Sequence, residues 1–309
     1  MVNVLFSASD ELWDIYQAPL KRAITAAGID CRLATDMDPG DVDYIVYAPN
    51  GPVSDFGPFV KTRAVLGLWA GVETMVNNST LTQPLARMVD PGLAMGMVEW
   101  VCGHVLRYHL GIDADIVNPE NRWTPRISAL ARDKTVAILG VGELGMAVGK
   151  ALGGLGFRVL GWSRRPKPVA PFPVKNGMAV LGSVLKDADF IVLLLPLTSA
   201  TENTLDNDRF RDIKKGAFLL NPGRGPLIDD DALLRALDNG TIAHATLDVF
   251  RSEPLPGDHV FWNHDKITVT PHIASATRPE TACGVIAENI RRGESGLPFL
   301  HLVDRTAGY

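Results

Sequence analysis

Short apolar runs alternate along this chain with longer segments in which apolar residues recur at helical spacing. Four runs precede residue 95 and six follow residue 130: they lie at 2–7, 31–34, 44–47 and 64–68, and at 136–139, 157–162, 188–195, 217–220, 243–249 and 267–270. Strands that alternate with helices in this way are typical of parallel sheets covered by helices on both faces. The pattern predicts an α/β fold.

A glycine motif follows the strand predicted at 136–139. Gly140, Gly142 and Gly145 form G-x-G-x-x-G between that strand and a helix-period segment, and a second strand follows. The first glycine allows a tight turn, the second lets the backbone approach a pyrophosphate, and the third permits close helix-to-strand packing. A plain connecting turn is the alternative, but the complete βαβ order favours a dinucleotide site.

The end of the second strand distinguishes between two cofactors. NAD sites usually place an acid there for the ribose 2′-hydroxyl, whereas this chain has Ser163, Arg164, Arg165 and Lys167. Guanidinium groups suit a 2′-phosphate because they donate paired, charge-assisted hydrogen bonds. A solvated basic turn is the alternative. We predict NADP(H) as the cofactor.

Two longer helical segments suggest how the chain divides. A nearly continuous apolar segment at 95–112 predicts a helix that leads into a second domain, and 278–292 predicts a helix that returns the chain to the first. We therefore predict two Rossmann-like domains with parallel sheets, one flavodoxin-like and one dinucleotide-binding. The substrate-binding domain is predicted at 1–96 and 277–309, and the dinucleotide-binding domain at 97–276.

Composition narrows the class of partner. The 309 residues are 46% hydrophobic, with a formal net charge of −5, so nothing indicates binding to nucleic acid or to an anionic membrane. Neither a signal sequence nor a membrane-spanning run is apparent. Three distant cysteines without C-x-x-C spacing predict neither disulfides nor a metal site. We expect a cytoplasmic protein with a small-molecule partner and no metal.

Three polar motifs follow three of the predicted strands, where the carboxyl edge of the sheet should lie. They carry Arg224, Glu253 and His272. In reduction of a keto acid, Arg224 can bind the substrate carboxylate and polarise the carbonyl, while His272 donates a proton to the oxygen. Glu253 can accept from the other imidazole nitrogen and favour the imidazolium. Taken singly, each residue could equally be structural or solvated; together they predict a catalytic set.

A turn of small residues also follows the strand at 64–68. The backbone N–H groups of Trp69, Ala70 and Gly71 could hold a carboxylate there, although such a turn is more often ordinary packing. Trp123, in a loop before the glycine motif, is expected to act in packing or at a subunit contact.

These motifs together resemble the D-2-hydroxyacid dehydrogenases, most closely the glyoxylate/hydroxypyruvate reductases. The resemblance covers nearly the whole chain, through GVGELG, GWSRR, LLPLT, NPGRG, LDVFRSEPLP, TPHIASATRP and VDRTAGY. It implies that Arg224, Glu253 and His272 are catalytic and that Arg224 and His272 also contact substrate. It further implies a homodimer paired through the dinucleotide-binding domains.

The resemblance also assigns residues around the ligands. It implies that amides of Trp69, Ala70, Gly71 and Val72 hold the substrate carboxylate, with Trp69 as a wall of the pocket. Glu73 departs from the family, where aspartate is common. The implied cofactor contacts also include Glu143, Leu144, Leu195 and Pro196, with Asp248 at the nicotinamide carboxamide.

The function expected from these assignments is NADPH-dependent reduction of a small 2-keto acid, glyoxylate to glycolate or hydroxypyruvate to D-glycerate. A bulkier substrate, such as a phenyl- or branched-chain pyruvate, is a second interpretation. A nucleotide-sensing binding protein is a third, which the complete Arg, Glu and His set disfavours.

Overall fold

The computed structural model describes residues 1–166 and 169–308, and the chain divides into two compact units. The first unit comprises Met1–Leu93 and the chain from Ala276 onward, and the second comprises Ala94–Ser275. Each unit is built on a single parallel sheet with its own apolar cores.

The sheet of the first unit has five strands. They are β1 (Val2–Ser7), β2 (Cys31–Ala34), β3 (Tyr44–Tyr47), β4 (Ala64–Gly67) and β5 (Leu85–Ala86), in the order β2-β1-β3-β4-β5. This is the strand order of flavodoxin-like folds. The helices of this unit are α1 (Asp10–Ala26), α2 (Glu73–Val76) and α9 (Pro279–Glu294).

Burial on both faces explains why these strands are continuously apolar. All four residues of β3 and of β4 are buried. On one face, the core includes Leu20 of α1 and Ile286 of α9, and on the other it includes Phe56 and Leu81. A parallel sheet covered in this way has no polar face, so its strands lack alternation.

The sheet of the second unit has seven strands. They are β6 (Thr135–Leu139), β7 (Arg158–Ser163), β8 (Val174–Asn176), β9 (Phe190–Leu193), β10 (Ala217–Asn221), β11 (Ile242–Leu247) and β12 (Ile267–Val269). The helices are α3 (Pro91–Leu110, which begins in the first unit), α4 (Asp113–Ile116), α5 (Glu143–Gly154), α6 (Leu181–Asp187), α7 (Asn207–Asp212) and α8 (Asp230–Asp238).

The strand order of this sheet locates a ligand site. The order is β12-β11-β10-β9-β6-β7-β8, and neighbouring strands run parallel. The direction of winding reverses at β6, which lies between β9 and β7. In open α/β sheets, ligands bind outside the carboxyl ends of the strands at such a reversal.

The predicted α/β class and the two parallel sheets are confirmed. Two short strands, β5 and β8, were not predicted, because β5 has only two residues and β8 has only one apolar residue, so neither forms an apolar run. The strand predicted at 188–195 is limited to Phe190–Leu193. Among the described residues, no helix combines the length and apolar character needed to cross a bilayer.

Candidate active site

The glycine motif forms a turn that has room only for glycine at two positions. Gly140 has φ of +108°, and a Cβ there would lie 2.4 Å from the carbonyl oxygen of Leu194. A Cβ on Gly145 would lie 2.0 Å from the carbonyl oxygen of Gly140. The first contact places the turn beside Leu194 and Leu195, directly after β9. The third glycine lets α5 pack closely on the end of β6.

The remaining glycine of the motif has different surroundings. Gly142 is the N-cap of α5, and a Cβ on it would meet no atom within 4 Å. The first-turn N–H groups of α5, which include those of Glu143 and Leu144, have no intrahelical acceptors and carry the positive end of the helix dipole. The turn therefore offers a pyrophosphate both space and donors, and it fits a dinucleotide.

The basic turn after β7 contains two exposed arginines, Arg164 and Arg165. The Ser163 hydroxyl is buried and donates its only proton to the carbonyl oxygen of Arg165 at 2.5 Å. In this geometry Ser163 shapes the turn, and the guanidinium groups of Arg164 and Arg165 can donate to a phosphate. Lys167, which the sequence also indicated, lies outside the described residues.

The loops after β10, β11 and β12 contact one another at the carboxyl edge of the sheet. Asp248 N donates to the carbonyl oxygen of Asn221 at 3.1 Å, and His272 N donates to that of Asp248 at 2.8 Å. A Cβ on Gly225 would lie 2.0 Å from the carbonyl carbon of Phe250. These contacts bring the segments that carry Arg224, Glu253 and His272 together.

The loop of Arg224 is shaped by Asn221. The Asn221 side chain accepts from Gly223 N at 3.1 Å and donates to the carbonyl oxygen of Arg224 at 2.9 Å. The partly buried guanidinium donates through Nη1 to the carbonyl oxygen of Gly223 at 2.6 Å. The arginine is therefore held at a defined place after β10.

His272 and Glu253 form a hydrogen-bonded pair. Nδ1 of His272 lies 2.6 Å from Oε2 of Glu253, and an ionised carboxylate only accepts, so Nδ1 carries the proton. The other carboxylate oxygen accepts from Phe250 N at 2.8 Å. Within the described part of the chain, Nε2 of His272 makes no hydrogen bond, which leaves it to face a reacting group. The imidazole side chain is 51% exposed.

The backbone at His272 is left-handed, with φ of +54°, which is uncommon for a residue other than glycine. The buried carboxylate of Asp248 holds this conformation: Ile273 N and Ala274 N donate to its two oxygens, each at 2.9 Å. Thr270 also donates its hydroxyl proton to Asp248, at 2.5 Å. Such strain persists at functional sites when surrounding bonds determine it.

Thr270 was missed by reasoning from the sequence. Its hydroxyl orients the Asp248 carboxylate, although Thr270 itself lies at the end of a strand where threonine is common. Asp248 follows β11 and Thr270 follows the neighbouring strand β12, and this placement could have indicated that the two side chains pair.

The described residues contain no group of three or more His, Cys, Asp or Glu side chains able to hold a metal ion.

The turn after β4 belongs to the first unit and has free backbone donors. In the ranges that the structure describes, the N–H groups of Trp69, Ala70 and Gly71 donate no hydrogen bond. The carbonyl oxygen of Trp69 accepts from Met88 N at 3.0 Å, which fixes the turn. The Trp69 residue is 40% exposed. The turn thus has the donors that binding a carboxylate requires.

Comparisons with known proteins agree with this geometry. Residues 105–274 match the family model described as D-isomer specific 2-hydroxyacid dehydrogenase, NAD binding domain. A glyoxylate/hydroxypyruvate reductase A of Serratia proteamaculans is 34% identical over the full length of both chains.

Two solved structures are similar over essentially the whole chain. A D-isomer specific 2-hydroxyacid dehydrogenase of Xanthobacter autotrophicus Py2, in complex with NADPH and MES, is 37% identical, with a TM-score of 0.91 over 100% of this chain and 99% of that one. An NADPH-dependent glyoxylate/hydroxypyruvate reductase of Sinorhizobium meliloti, in complex with NADP and sulfate, is 29% identical, with a TM-score of 0.86 over 100% of both chains.

Proposed function

The chain belongs to the D-isomer specific 2-hydroxyacid dehydrogenase family, and we propose that it reduces glyoxylate to glycolate and hydroxypyruvate to D-glycerate with NADPH. The observation that carries this proposal is the His272–Glu253 pair. Glu253 accepts from Nδ1 of His272, so Nε2 of the same ring can donate a proton to the substrate. The loop of Arg224 contacts the loop that carries Glu253. The names of the relatives support the choice of substrates.

The cofactor of this oxidoreductase is NADP(H). Similar proteins bind NADPH or NADP, and the exposed guanidinium groups of Arg164 and Arg165 follow β7 where a 2′-phosphate is expected. The glycine turn and the start of α5 would hold the pyrophosphate, with Leu195 and Pro196 beside it. We propose Asp248 as the residue that meets the nicotinamide carboxamide. When bound, the cofactor supplies the hydride that reduces the carbonyl carbon.

The protein groups bind the keto acid and supply the proton. Arg224 pairs with the substrate carboxylate and polarises its carbonyl group, because a guanidinium presents two parallel donors. His272, protonated on both nitrogens, releases the Nε2 proton to the carbonyl oxygen, and Glu253 stabilises the imidazolium beforehand. The 2-keto acid, NADPH and one proton thus give the 2-hydroxy acid and NADP⁺. The backbone donors at Trp69, Ala70 and Gly71 are proposed to hold the carboxylate as well.

Steady-state assays with a panel of 2-keto acids test this function. NADPH absorbance should fall with glyoxylate and hydroxypyruvate, and more slowly with phenylpyruvate. His272→Ala should lower kcat by about 100-fold or more, because it removes the general acid. NADPH binding should persist, since the glycine turn and the arginines are unchanged.

Each alternative has its own outcome in this assay. Faster turnover of phenylpyruvate would assign bulkier substrates. Tight NADPH binding with no turnover of any keto acid would replace catalysis by nucleotide sensing. A kcat near the wild-type value in His272→Ala would remove His272 from the role of general acid.

We also propose that the enzyme acts as a homodimer in the cytoplasm. Trp123 is 95% exposed, so it is not packed within its own chain, and Ile127 is fully exposed nearby. Burial of such side chains favours association. Sedimentation equilibrium should give twice the chain mass, and a monomer at micromolar concentration would contradict the proposal.

A further inference from the structure

Glu253 lies in an irregular segment after β11, so the hydrogen bonds of the sheet do not fix its position. Its Oε1 accepts from Phe250 N, only three residues away, and this bond ties the side chain to its own loop. The 2.6 Å contact with His272 therefore depends on what holds that loop against the rest of the unit.

One guanidinium joins this loop to two other segments. Arg251 Nη2 donates to the carbonyl oxygen of Ile228 at 2.5 Å and to Oδ1 of Asn203. Its Nε lies 3.5 Å from Oδ2 of Asp230, and its Nη1 lies 3.8 Å from Oε1 of Glu202. Three nitrogens of one side chain are thus used, which the planar donor array of arginine allows and a single ammonium does not.

The segment that contains the Ile228 acceptor continues the loop of Arg224. The two loops also touch directly, since a Cβ on Gly225 would lie 2.0 Å from the carbonyl carbon of Phe250 and 2.5 Å from Arg251 N. Only glycine fits such a contact. The backbone contact and the guanidinium together fix the distance between the two loops.

The Arg251 side chain is less exposed than an arginine in an ordinary surface ion pair. Its side chain is 36% exposed, whereas that of Arg211, paired with Asp208 on α7, is 71% exposed. Burial raises the pKa of the Asp230 carboxyl, and the charge of Arg251 acts against that rise. Truncating Arg251 would leave the Ile228 carbonyl and the partly buried Asp230 carboxylate without this partner, which would destabilise the contact between the segments.

We propose that Arg251 is a positioning residue that holds the Glu253 loop against the Arg224 loop and so keeps the Glu253 carboxylate on His272. The inference rests on the proposed reductase function, because it assigns Arg251 to the same site. Arg251 acts through Glu253, which stabilises the protonated imidazole of His272.

Arg251→Ala, Arg251→Lys and the matched control Arg211→Ala test the inference in the full chain. With NADPH and glyoxylate, Arg251→Ala should lower kcat by about tenfold or more, because a small misplacement of a catalytic group slows the chemical step strongly. The KM for NADPH should stay within about twofold of the wild-type value, since Arg251 is proposed to act on the general acid His272 and not on the cofactor site. Arg211→Ala should match the wild type.

The pH profile and chemical rescue separate positioning from stability. In Arg251→Ala, the high-pH limb of kcat should move to lower pH, because the imidazolium loses its carboxylate. Guanidinium ion added at millimolar concentration should restore part of kcat in this variant and not in Arg211→Ala. Arg251→Lys should fall between Arg251→Ala and the wild type. A wild-type kcat and profile with only a lower melting temperature would overturn the inference.

A measurement without turnover keeps the two proposals distinguishable. The downfield NMR signal of the proton on Nδ1 of His272, assigned by its loss in His272→Ala, should weaken or disappear in Arg251→Ala, because the 2.6 Å hydrogen bond to Glu253 is no longer held. If the wild type reduced no keto acid, the proposed function would fail while this signal still tested the positioning role. An unchanged signal in both Arg251 variants would refute that role. Arg251→Lys provides the test if the alanine variant does not fold.

Discussion

Replacing Glu253 by glutamine removes the charge beside His272 and keeps the shape of the side chain. The amide oxygen of glutamine can still accept the bond that Phe250 N makes at 2.8 Å. The attraction between the carboxylate and the imidazolium, whose Nδ1 lies 2.6 Å from Oε2, is lost. The amide NH2 then stands where Oε2 was and cannot accept from Nδ1. The substitution therefore removes the charge and this one hydrogen bond, and keeps the shape of the side chain.

The structure sets the size of that effect. Unit charges about 4 Å apart attract by about 1 kcal/mol in water and about 4 kcal/mol at an effective dielectric constant near 20. The side chains of His272 and Glu253 are 51% and 35% exposed, so solvent screens them, and we take a value near the lower limit, about 1.4 kcal/mol. This energy corresponds to about a tenfold change in an equilibrium constant.

The assay is the pH dependence of kcat with NADPH and saturating glyoxylate. At the acidic end of the profile, Glu253→Gln should approach the wild-type kcat. Its high-pH limb should begin at lower pH, because the imidazolium has lost its charged partner. The matched control Asp208→Asn removes a carboxylate from an exposed ion pair on α7 and should reproduce the wild-type profile. An equal loss of kcat at every pH would refute the electrostatic argument and leave Glu253 with an orienting role.

Three further predictions concern other parts of the molecule. Arg224→Lys should lower kcat/KM for glyoxylate by about 100-fold, because an ammonium cannot supply paired donors to carboxylate and carbonyl; a loss below tenfold would contradict bidentate binding. Arg164→Asp should raise the KM for NADPH by about 10- to 100-fold, which corresponds to the loss of one charge-assisted hydrogen bond. The KM for NADH should stay unchanged or fall. Equal effects on both cofactors would exclude a phosphate contact. Burial, followed by the charge of Arg107, lowers the pKa of His244 to about 4. The unfolded chain therefore binds more protons than the folded chain between about pH 6.5 and pH 4, and the free energy of unfolding should fall by up to about 3 kcal/mol as pH drops through this window. Urea unfolding of wild type and His244→Gln measures it: the variant should lose less stability on acidification, and parallel losses would disprove the linkage.

The sequence alone determined the fold class and placed three polar motifs directly after predicted strands. Apolar runs without alternation indicate strands buried on both faces, and their alternation with helices indicates parallel sheets. Because the carboxyl ends of parallel strands meet at one edge, residues placed after β10, β11 and β12 were expected to converge. The structure brings these loops into contact, and Nδ1 of His272 lies 2.6 Å from Oε2 of Glu253. The glycine spacing likewise identified the turn at Gly140, because its backbone demands are local.

Only the tertiary structure decided which side chains support these positions. The contacts of Asp248 with the His272 loop, and of Arg251 with Asn203, join residues far apart in the chain. Such contacts depend on loop paths, which no residue periodicity encodes. The Ser163 hydroxyl shows the same limit, since its bond to the carbonyl oxygen of Arg165 depends on the path of the turn. Periodicity and strand ends are properties of contiguous segments, whereas the partner of a side chain is set by how separate segments pack.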